Sequence, residues 1–168
     1  RMTSLTSVNL DSAKFNGGDL AQLGAMECLA SIDISDTNAD DRDVASLAGC
    51  RALTDIDMGA TQVTGTGFSQ LATLPSLTTL GLIGAAITDE GLKGIGKLTR
   101  LNHLDLDSTT ITGTGLAHLS GLINLATLDV RSTKIDDEGL AHLPVLPQLQ
   151  NVYLQNTQVA GPGLAHLA

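Results

Sequence analysis

The chain is 168 residues long, is 42% hydrophobic and only 2% aromatic, and carries a formal net charge of −9. This length suits one folded domain spanning residues 1–168. An acidic chain without a basic patch, and almost without rings on which bases stack, argues against nucleic acid as a partner. No apolar run approaches the length that spans a bilayer, so we expect no membrane insertion. Two cysteines are too few for a disulfide framework.

Leucine recurs every 24 residues along the whole chain. The seven repeats begin at Leu5, Leu29, Leu53, Leu77, Leu101, Leu125 and Leu149. They follow the pattern L-x-x-L-x-L-x-x-T-x-I-T-x-x-G-L-x-x-L-x-x-L-x-x without insertion or deletion, and repeat positions are counted from these leucines. A period of this length is typical of a solenoid, in which each repeat buries its apolar faces against its neighbours.

The first half of each repeat predicts a short strand. Apolar residues at positions 4 and 6, such as Leu104 and Leu106, alternate with polar residues at the period of a half-buried strand. Each strand is followed by a return segment, so successive strands run in the same direction and the sheet is expected to be parallel.

The second half of each repeat predicts a short helix. Position 12 holds a residue type preferred at helix N-caps in six repeats: Asn16, Asp40, Thr64, Thr88, Thr112 and Asp136. Acids such as Asp89 and Asp137 follow in the first turn, where the helix dipole favours negative charge, so we expect them to need no further partner. Leucines at positions 16 and 19 should face the core, and small residues at positions 17 and 20 should let neighbouring helices approach.

The repeat resembles the leucine-rich repeat family over the whole chain, and it is most similar to bacterial members with the signature T-x-I-T-D-E-G-L. Two segments carry versions of that signature, AAITDEGL at Ala85–Leu92 and STKIDDEGL at Ser132–Leu140. The resemblance implies an α/β solenoid, a right-handed leucine-rich-repeat superhelix of seven 24-residue repeats. The parallel sheet would form the concave face and the short helices the convex face.

Position 9, which is asparagine in many members of that family, is threonine in five repeats and alanine at Ala13 and Ala85. A threonine hydroxyl is able to bond the backbone of a turn as asparagine does, whereas alanine is not. We therefore expect the first and fourth repeats to be held less firmly.

Neither end of the chain has the polar cap that normally closes a solenoid, and Ala168 stops short of a complete repeat. We therefore expect a fragment of a longer array, or a protein that covers its ends by self-association.

Three histidines recur in the string GLAHL near the C-terminus. They are His118, His142 and His166, always at position 18. Helical rotation of about 100° per residue points this position away from the core. Neighbouring helices lie about 8–10 Å apart, whereas zinc requires nitrogen at about 2 Å, so the three cannot converge on one ion. We therefore interpret these three histidines as one solvent-facing position that was copied with the repeat, and we assign no metal site to them.

Binding in the leucine-rich repeat family generally uses the exposed strand positions 3, 5 and 7, and we call these side chains the strand face. Seven carboxylates and one arginine occupy it. The candidate partner-binding residues are Asp33, Asp55, Asp57, Ile83, His103, Asp105, Asp107, Asp129, Arg131 and Tyr153. Parallel strands lie about 4.8 Å apart, which places Asp33 beside Asp57. The same spacing places Asp105 beside Asp129, and like charges in this arrangement are unfavourable. A basic protein segment, a cation, or solvent and salt alone would offset the repulsion.

The fourth repeat has no acidic residue on the strand face. Its strand, LTTLGLIGAA at Leu77–Ala86, has Gly81, Gly84 and the apolar Ile83 in place of charged residues. We expect a shallow apolar notch between two acidic blocks. Arg131 and Tyr153, toward the C-terminus, belong to residue types favoured at interface hot spots.

No motif supports catalysis. The G-x-G strings, such as Gly113–Gly115, open helices without a following lysine, and no serine or cysteine lies in a nucleophile motif. The nearest approach to a chemical cluster is His103 with Asp105, Asp107 and Asp129. Such ligands suit a divalent ion, but a flat face rarely encloses one. We therefore expect neither enzyme activity nor a cofactor.

The sequence indicates a non-catalytic scaffold that binds another protein, such as one with a basic segment, on its acidic concave face. The alternatives are a metal-binding surface, or a module that targets substrates for a larger effector or enzyme.

Overall fold

Seven parallel strands form one open sheet. The computed structural model of the protein describes residues 4–15 and 18–168. The strands are β1 Ser7–Asn9, β2 Ser31–Asp33, β3 Asp55–Asp57, β4 Thr79–Gly81, β5 His103–Asp105, β6 Thr127–Asp129 and β7 Asn151–Tyr153. They are hydrogen-bonded in chain order, and each strand residue pairs with the residue 24 positions later, as Leu80 does with Leu104. The sequence period is therefore the register of the sheet, and the predicted α/β solenoid of seven repeats is confirmed.

A turn after each strand extends the backbone ladder beyond the strands. The N–H at position 8 donates to the carbonyl at position 7 of the next repeat, for example from Ala60 to Ile83 at 2.7 Å. Position 8 has a positive φ in all seven repeats: Ser12, Asp36, Ala60, Gly84, Ser108, Ser132 and Asn156. These left-handed residues turn the chain away from the sheet at the same point of every repeat.

The return segments are helical but short. The α-helices are α1 Asp41–Ser46, α2 Asp89–Ile95, α3 Gly113–Leu116 and α4 Asp137–Leu140. The 3₁₀ segments are Asp19–Ala25, Leu47–Gly49, Thr66–Thr73, Ala117–Gly121 and Pro162–Leu167. In the part of the chain that the structure describes, no helix has the length and apolarity needed to cross a membrane.

Three of the predicted N-caps are confirmed. The Asp40 and Asp136 carboxylates cap α1 and α4, each by accepting a hydrogen bond from a backbone N–H of the first turn. The Thr88 hydroxyl caps α2 by accepting from the N–H of Gly91 at 3.2 Å. Asn16 lies outside the described residues.

Two predicted caps behave differently. Thr112 occupies the N-cap position of α3, but its hydroxyl accepts no capping hydrogen bond. Thr64 does not cap a helix, because the third repeat enters its 3₁₀ segment at Thr66 after the left-handed residue Gly65. Both hydroxyls donate instead to a carboxylate of the preceding repeat.

Aliphatic side chains from successive repeats form one continuous core. In the fifth repeat the core residues are Leu101, Leu104, Leu106, Ile111, Leu116 and Leu119, each at most 1% exposed. Full burial of such a side chain contributes about 1.5–3 kcal/mol. The core thins in the seventh repeat, where Leu149, Leu154 and Val159 are only partly buried.

The predicted role of threonine at position 9 is confirmed. Five threonines donate a 2.7 Å hydrogen bond to the carbonyl three residues earlier: Thr37, Thr61, Thr109, Thr133 and Thr157. Each such bond has a net value of about 0.5–1.5 kcal/mol. Ala85 lacks this bond and keeps only the backbone bond to Leu82, at 3.0 Å.

Glycine residues allow the return segments of neighbouring repeats to pack closely. A Cβ on Gly65 would lie 2.6 Å from the Cα of Gly91, a distance that side chains do not tolerate. Ala117 and Ala141, at position 17, are exposed. The expectation that small residues admit the neighbouring helix is therefore wrong for these two alanines, but it holds at position 20, where a Cβ on Gly24 would lie 2.8 Å from the carbonyl oxygen of Ser46.

Candidate binding surface on the strands

The sheet register aligns the strand face in columns. At position 5, Asp33 pairs with Asp57 and Asp105 pairs with Asp129, as predicted. Gly81 lies between the two pairs, because it is the register partner of both Asp57 and Asp105. The position-5 carboxylates therefore form two blocks separated by a residue without a side chain.

Each position-5 carboxylate also supports the turn after its strand. Four aspartates accept a hydrogen bond of 2.9–3.1 Å from the backbone N–H two residues later: Asp33, Asp57, Asp105 and Asp129. Aspartate commonly stabilises turns through this contact. The acidic column therefore has a structural role whatever it binds.

Arg131 pairs with two carboxylates at the C-terminal end of the strand face, Asp129 and Asp107. Its Nε donates to both carboxylate oxygens of Asp129, at 2.9 and 2.8 Å, and a terminal nitrogen lies 3.6 Å from Asp107. This hydrogen bonding to Asp129 raises the pKa of Arg131. The guanidinium carbon also lies 5.8 Å from the centroid of the Tyr153 ring, within cation–π range. Asp129 is only 4% exposed, so the structure does not present it to a partner.

The centre of the strand face is an open depression of about 340 Å³. Six of the predicted residues line it: Asp33, Asp55, Asp57, Ile83, His103 and Asp105. The other four lie toward the C-terminus. Ile83 is 45% exposed, and Gly81 also lines the depression. The structure thus contains the expected notch in the fourth repeat, and its rim is acidic.

Two carboxylates at this depression keep an unused oxygen. Asp57 accepts through Oδ1 from the Ser35 hydroxyl and the Gly59 N–H, both at 3.0 Å. Asp105 accepts through Oδ1 from the Asp107 N–H at 2.9 Å. Neither Oδ2 atom receives a hydrogen bond from any residue in 4–15 or 18–168. Burial raises the pKa of Asp105, and the charges of neighbouring carboxylates add to the increase.

A separate aspartate, on the helix side, joins successive repeats. Asp89, in the first turn of α2, accepts from the N–H and the hydroxyl of Thr112 at 2.7 and 2.6 Å. It also accepts from the Thr114 hydroxyl at 2.8 Å. The expectation that first-turn acids need no partner was therefore wrong for Asp89, because its carboxylate reaches the next repeat. We call this arrangement the aspartate clasp.

The aspartate clasp recurs every second repeat. Asp41 accepts four hydrogen bonds of 2.6–3.2 Å from the third repeat, and Asp137 accepts one of 2.7 Å from the N–H of Ala160. Position 13 alternates between glycine and aspartate: Gly17, Asp41, Gly65, Asp89, Gly113, Asp137 and Gly161. This 48-residue double period is the sequence signal from which the clasp could have been found.

The clasp keeps its carboxylates ionised. Burial raises the pKa of Asp41, but hydrogen bonds from Thr64 and the neighbouring backbone lower it by more. Burial likewise raises the pKa of Asp89, and hydrogen bonds from Thr112 and Thr114 again outweigh that effect. Both pKa values therefore lie below the ordinary value of 3.8.

The three position-18 histidines form no metal site among the described residues. His142 and His166 are exposed, as expected for a solvent-facing position, whereas His118 is half-buried. Among the residues that the structure describes, no group of three or more His, Cys, Asp or Glu side chains is placed to hold a metal ion. The cysteines are free thiols, with Cys28 exposed and Cys50 buried.

The open parallel sheet, with one strand and one return per 24 residues, defines the class of solenoid repeat proteins. The Leucine Rich repeat family model matches residues 73–96 and 121–143. The two matched segments start 48 residues apart and contain the signature-like stretches of the fourth and sixth repeats. Two of the seven repeats, the fourth and the sixth, therefore match the leucine-rich repeat by sequence, and the other repeats share their period and strand register. No curated protein matches its sequence.

Solved structures with the same fold include two internalins of Listeria monocytogenes. Internalin F has a TM-score of 0.69 at 20% identity, and the match covers 99% of this chain and 53% of that one. Internalin C2 has a TM-score of 0.64 at 23% identity, covering 97% and 77%. A TDR receptor has a TM-score of 0.58 at 15% identity, covering 96% and 35%. The chain thus spans about half of the internalin F structure. At these identities the likeness establishes the fold.

Leucine-rich-repeat domains typically serve as protein–protein interaction modules and are generally non-catalytic.

Proposed function

We propose that the protein is a non-catalytic scaffold that binds a basic segment of another protein on the strand face. The observation that carries the proposal is the contrast between Asp129 and the carboxylates of the central depression. Asp129 has its own cation, Arg131, whereas no lysine or arginine within residues 4–15 and 18–168 forms an ion pair with Asp33, Asp55, Asp57 or Asp105. A basic segment would supply the missing positive charge.

The shape and charge of the surface support this choice. A sheet face about seven strands wide suits an extended or helical segment better than a small molecule, because the depression is open rather than enclosed. Complementary charge steers such a partner to the surface and fixes its register. The turn-capping bonds hold the carboxylates in place before binding, which reduces the ordering cost of association.

The test compares two variants that each remove three negative charges. The strand-face variant carries Asp33→Asn, Asp57→Asn and Asp105→Asn, and it keeps the oxygen that accepts from the turn. The control carries Glu27→Gln, Glu90→Gln and Glu138→Gln, which lie outside the strand face and are exposed. Their binding of a fluorescein-labelled deca-lysine peptide is measured by fluorescence anisotropy at physiological salt.

The strand-face variant should bind about tenfold more weakly than wild type, a difference of about 1.4 kcal/mol. The control should lose much less, because its charges lie farther from the bound peptide and are screened. Equal losses in both variants would show that the peptide responds only to net charge, and the strand-face assignment would be wrong.

A further inference from the structure

Gly81 interrupts the acidic column at position 5 and leaves a gap between two of its aspartates. It lies between Asp57 and Asp105 in the register, and strands in a sheet are about 4.8 Å apart. A Cβ on Gly81 would lie 3.0 Å from Oδ1 of Asp57 and 3.2 Å from its Oδ2, so this carboxylate already leans over the glycine. The surface over Gly81 therefore presents the Asp57 carboxylate directly, and the Asp105 carboxylate lies on the adjacent strand.

Arg131 shows, within the same chain, how this kind of carboxylate binds a guanidinium. It is at position 7 of the sixth repeat, and it contacts the position-5 carboxylate of its own strand and Asp107 of the preceding repeat. Position 7 in the second, third and fourth repeats is Ser35, Gly59 and Ile83. The central depression thus has carboxylates in the same column but no basic residue in the column beside them.

We propose that the gap over Gly81 receives an arginine side chain of the partner, whose guanidinium bridges the free Oδ2 atoms of Asp57 and Asp105. The inference rests on the proposed function and names the residue that the basic segment must contain. Arginine suits the gap better than lysine, because its planar fork presents donors on two sides and is able to reach both carboxylates at once.

Ile83 favours an aliphatic residue next to that arginine in the partner. It lines the depression and leaves 45% of its side chain exposed. An aliphatic side chain next to the arginine would cover this surface, and removal of apolar area from water favours binding. The partner motif is therefore an arginine adjacent to an aliphatic residue, within a basic segment.

Two labelled peptides of equal charge test the motif. Both derive from deca-lysine, and the two central residues are replaced by Arg-Leu in one and by Lys-Leu in the other. The Arg-Leu peptide should bind wild type about fivefold more tightly than the Lys-Leu peptide, a difference of about 1 kcal/mol, which is the net value of one ordinary hydrogen bond. Asp105→Asn and Gly81→Val should each bring that ratio close to one, because the first removes a ligand and the second fills the gap.

Asp11→Asn is the matched control, since it removes the same charge from the strand face outside the depression. This variant should keep the wild-type ratio, and circular dichroism should show that all three variants are folded. A ratio of one in wild type, or a ratio unchanged in both depression variants, would overturn the arginine assignment. The proposed function would survive that result if deca-lysine still bound the strand face, whereas absence of deca-lysine binding would remove both.

Discussion

Asp89 accepts a 2.7 Å hydrogen bond from the backbone N–H of Thr112, and the two residues belong to successive repeats. A second carboxylate oxygen accepts from the hydroxyls of Thr112 and Thr114. One side chain therefore satisfies several donors at the start of the following helix, where backbone N–H groups lack partners within the helix. The fourth and fifth repeats are joined by this contact as well as by the core and the sheet.

Removal of the aspartate clasp should destabilise the solenoid. Asp89→Ala leaves the N–H of Thr112 without its acceptor, and loss of a partner for such a group costs about 1–3 kcal/mol. Glu90→Ala is the control, because its contact with Lys93 is a surface ion pair worth about 0–1 kcal/mol. Urea denaturation measures the free energy of unfolding of both variants. Equal losses of unfolding free energy would show that the clasp contributes no more than a surface ion pair.

The clasp also predicts a dependence of stability on pH. The pKa values of Asp41 and Asp89 are lowered in the folded state, since hydrogen bonds from the next repeat outweigh burial. Their contribution is therefore fully present above the ordinary pKa of 3.8 and is lost as the pH falls through the lower folded pKa.

The free energy of unfolding, measured in urea from pH 6 to pH 2, should thus fall more steeply for wild type than for a variant with Asp41→Asn and Asp89→Asn. The other carboxylates are common to both proteins, so the difference between the two curves reports on the clasp. Parallel curves would contradict the assignment of the acid sensitivity to the clasp.

Position 13 offers a matched pair of glycines. Gly65 has a φ of +104°, and an added Cβ would lie 2.6 Å from the Cα of Gly91. Gly161, at the same position of the seventh repeat, has a φ of −54°, and an added Cβ would have no atom within 4 Å apart from those of the adjacent residues. Gly65→Ala should therefore destabilise by about 1–3 kcal/mol, in the range of strained backbone and overpacking. Gly161→Ala should cost less, because its Cβ meets only the adjacent Pro162, whose ring disfavours a helical conformation at the preceding residue. Thermal unfolding distinguishes them, and similar melting points would show that close packing at position 13 is unimportant.

Ala60 has a backbone conformation in its turn that is unfavourable for alanine. It is left-handed, with a φ of +52°, where an L-residue is disfavoured by roughly 1–2 kcal/mol. Ala60→Gly should stabilise by about 0.5–1 kcal/mol, because relief of strain exceeds the entropy that glycine gains in the unfolded chain. Ala86→Gly, at an exposed residue without positive φ, should instead destabilise by a few tenths of a kcal/mol up to about 1 kcal/mol. A loss of stability in both variants would contradict the strain at Ala60.

The strict 24-residue period was sufficient to predict the fold. A constant period sets a constant register, so the pairing of Leu80 with Leu104 follows from the spacing of the leucines alone. The side chains of the strand face also follow from the alternation of the strands, as the pairing of Asp33 with Asp57 shows. These features depend on backbone geometry, which the repeat pattern determines.

Interactions between particular side chains were not accessible in the same way. Asp89 and Thr112 each fit a helix start, and local preference alone does not reveal that one donates to the other across repeats. Asp129 looked like an exposed acid because of its strand position, and its burial results from Arg131 two residues later. The burial of Asp129 depends on the reach of a neighbouring side chain in three dimensions, whereas the clasp is marked in the sequence only by the alternation of glycine and aspartate at position 13.

An NMR titration tests the central claim most directly, and the 17.3 kDa chain is well suited to it. Uniformly ¹⁵N-labelled protein is titrated with the unlabelled Arg-Leu peptide, and amide shifts are mapped onto the repeats. Binding in the depression should shift the amides of Asp55–Asp57, Thr79–Gly81 and His103–Asp105 and leave those of Asp89–Ile95 largely unchanged. Shifts concentrated on the helices, with the strands unaffected, would contradict the claim that the strand face is the binding surface.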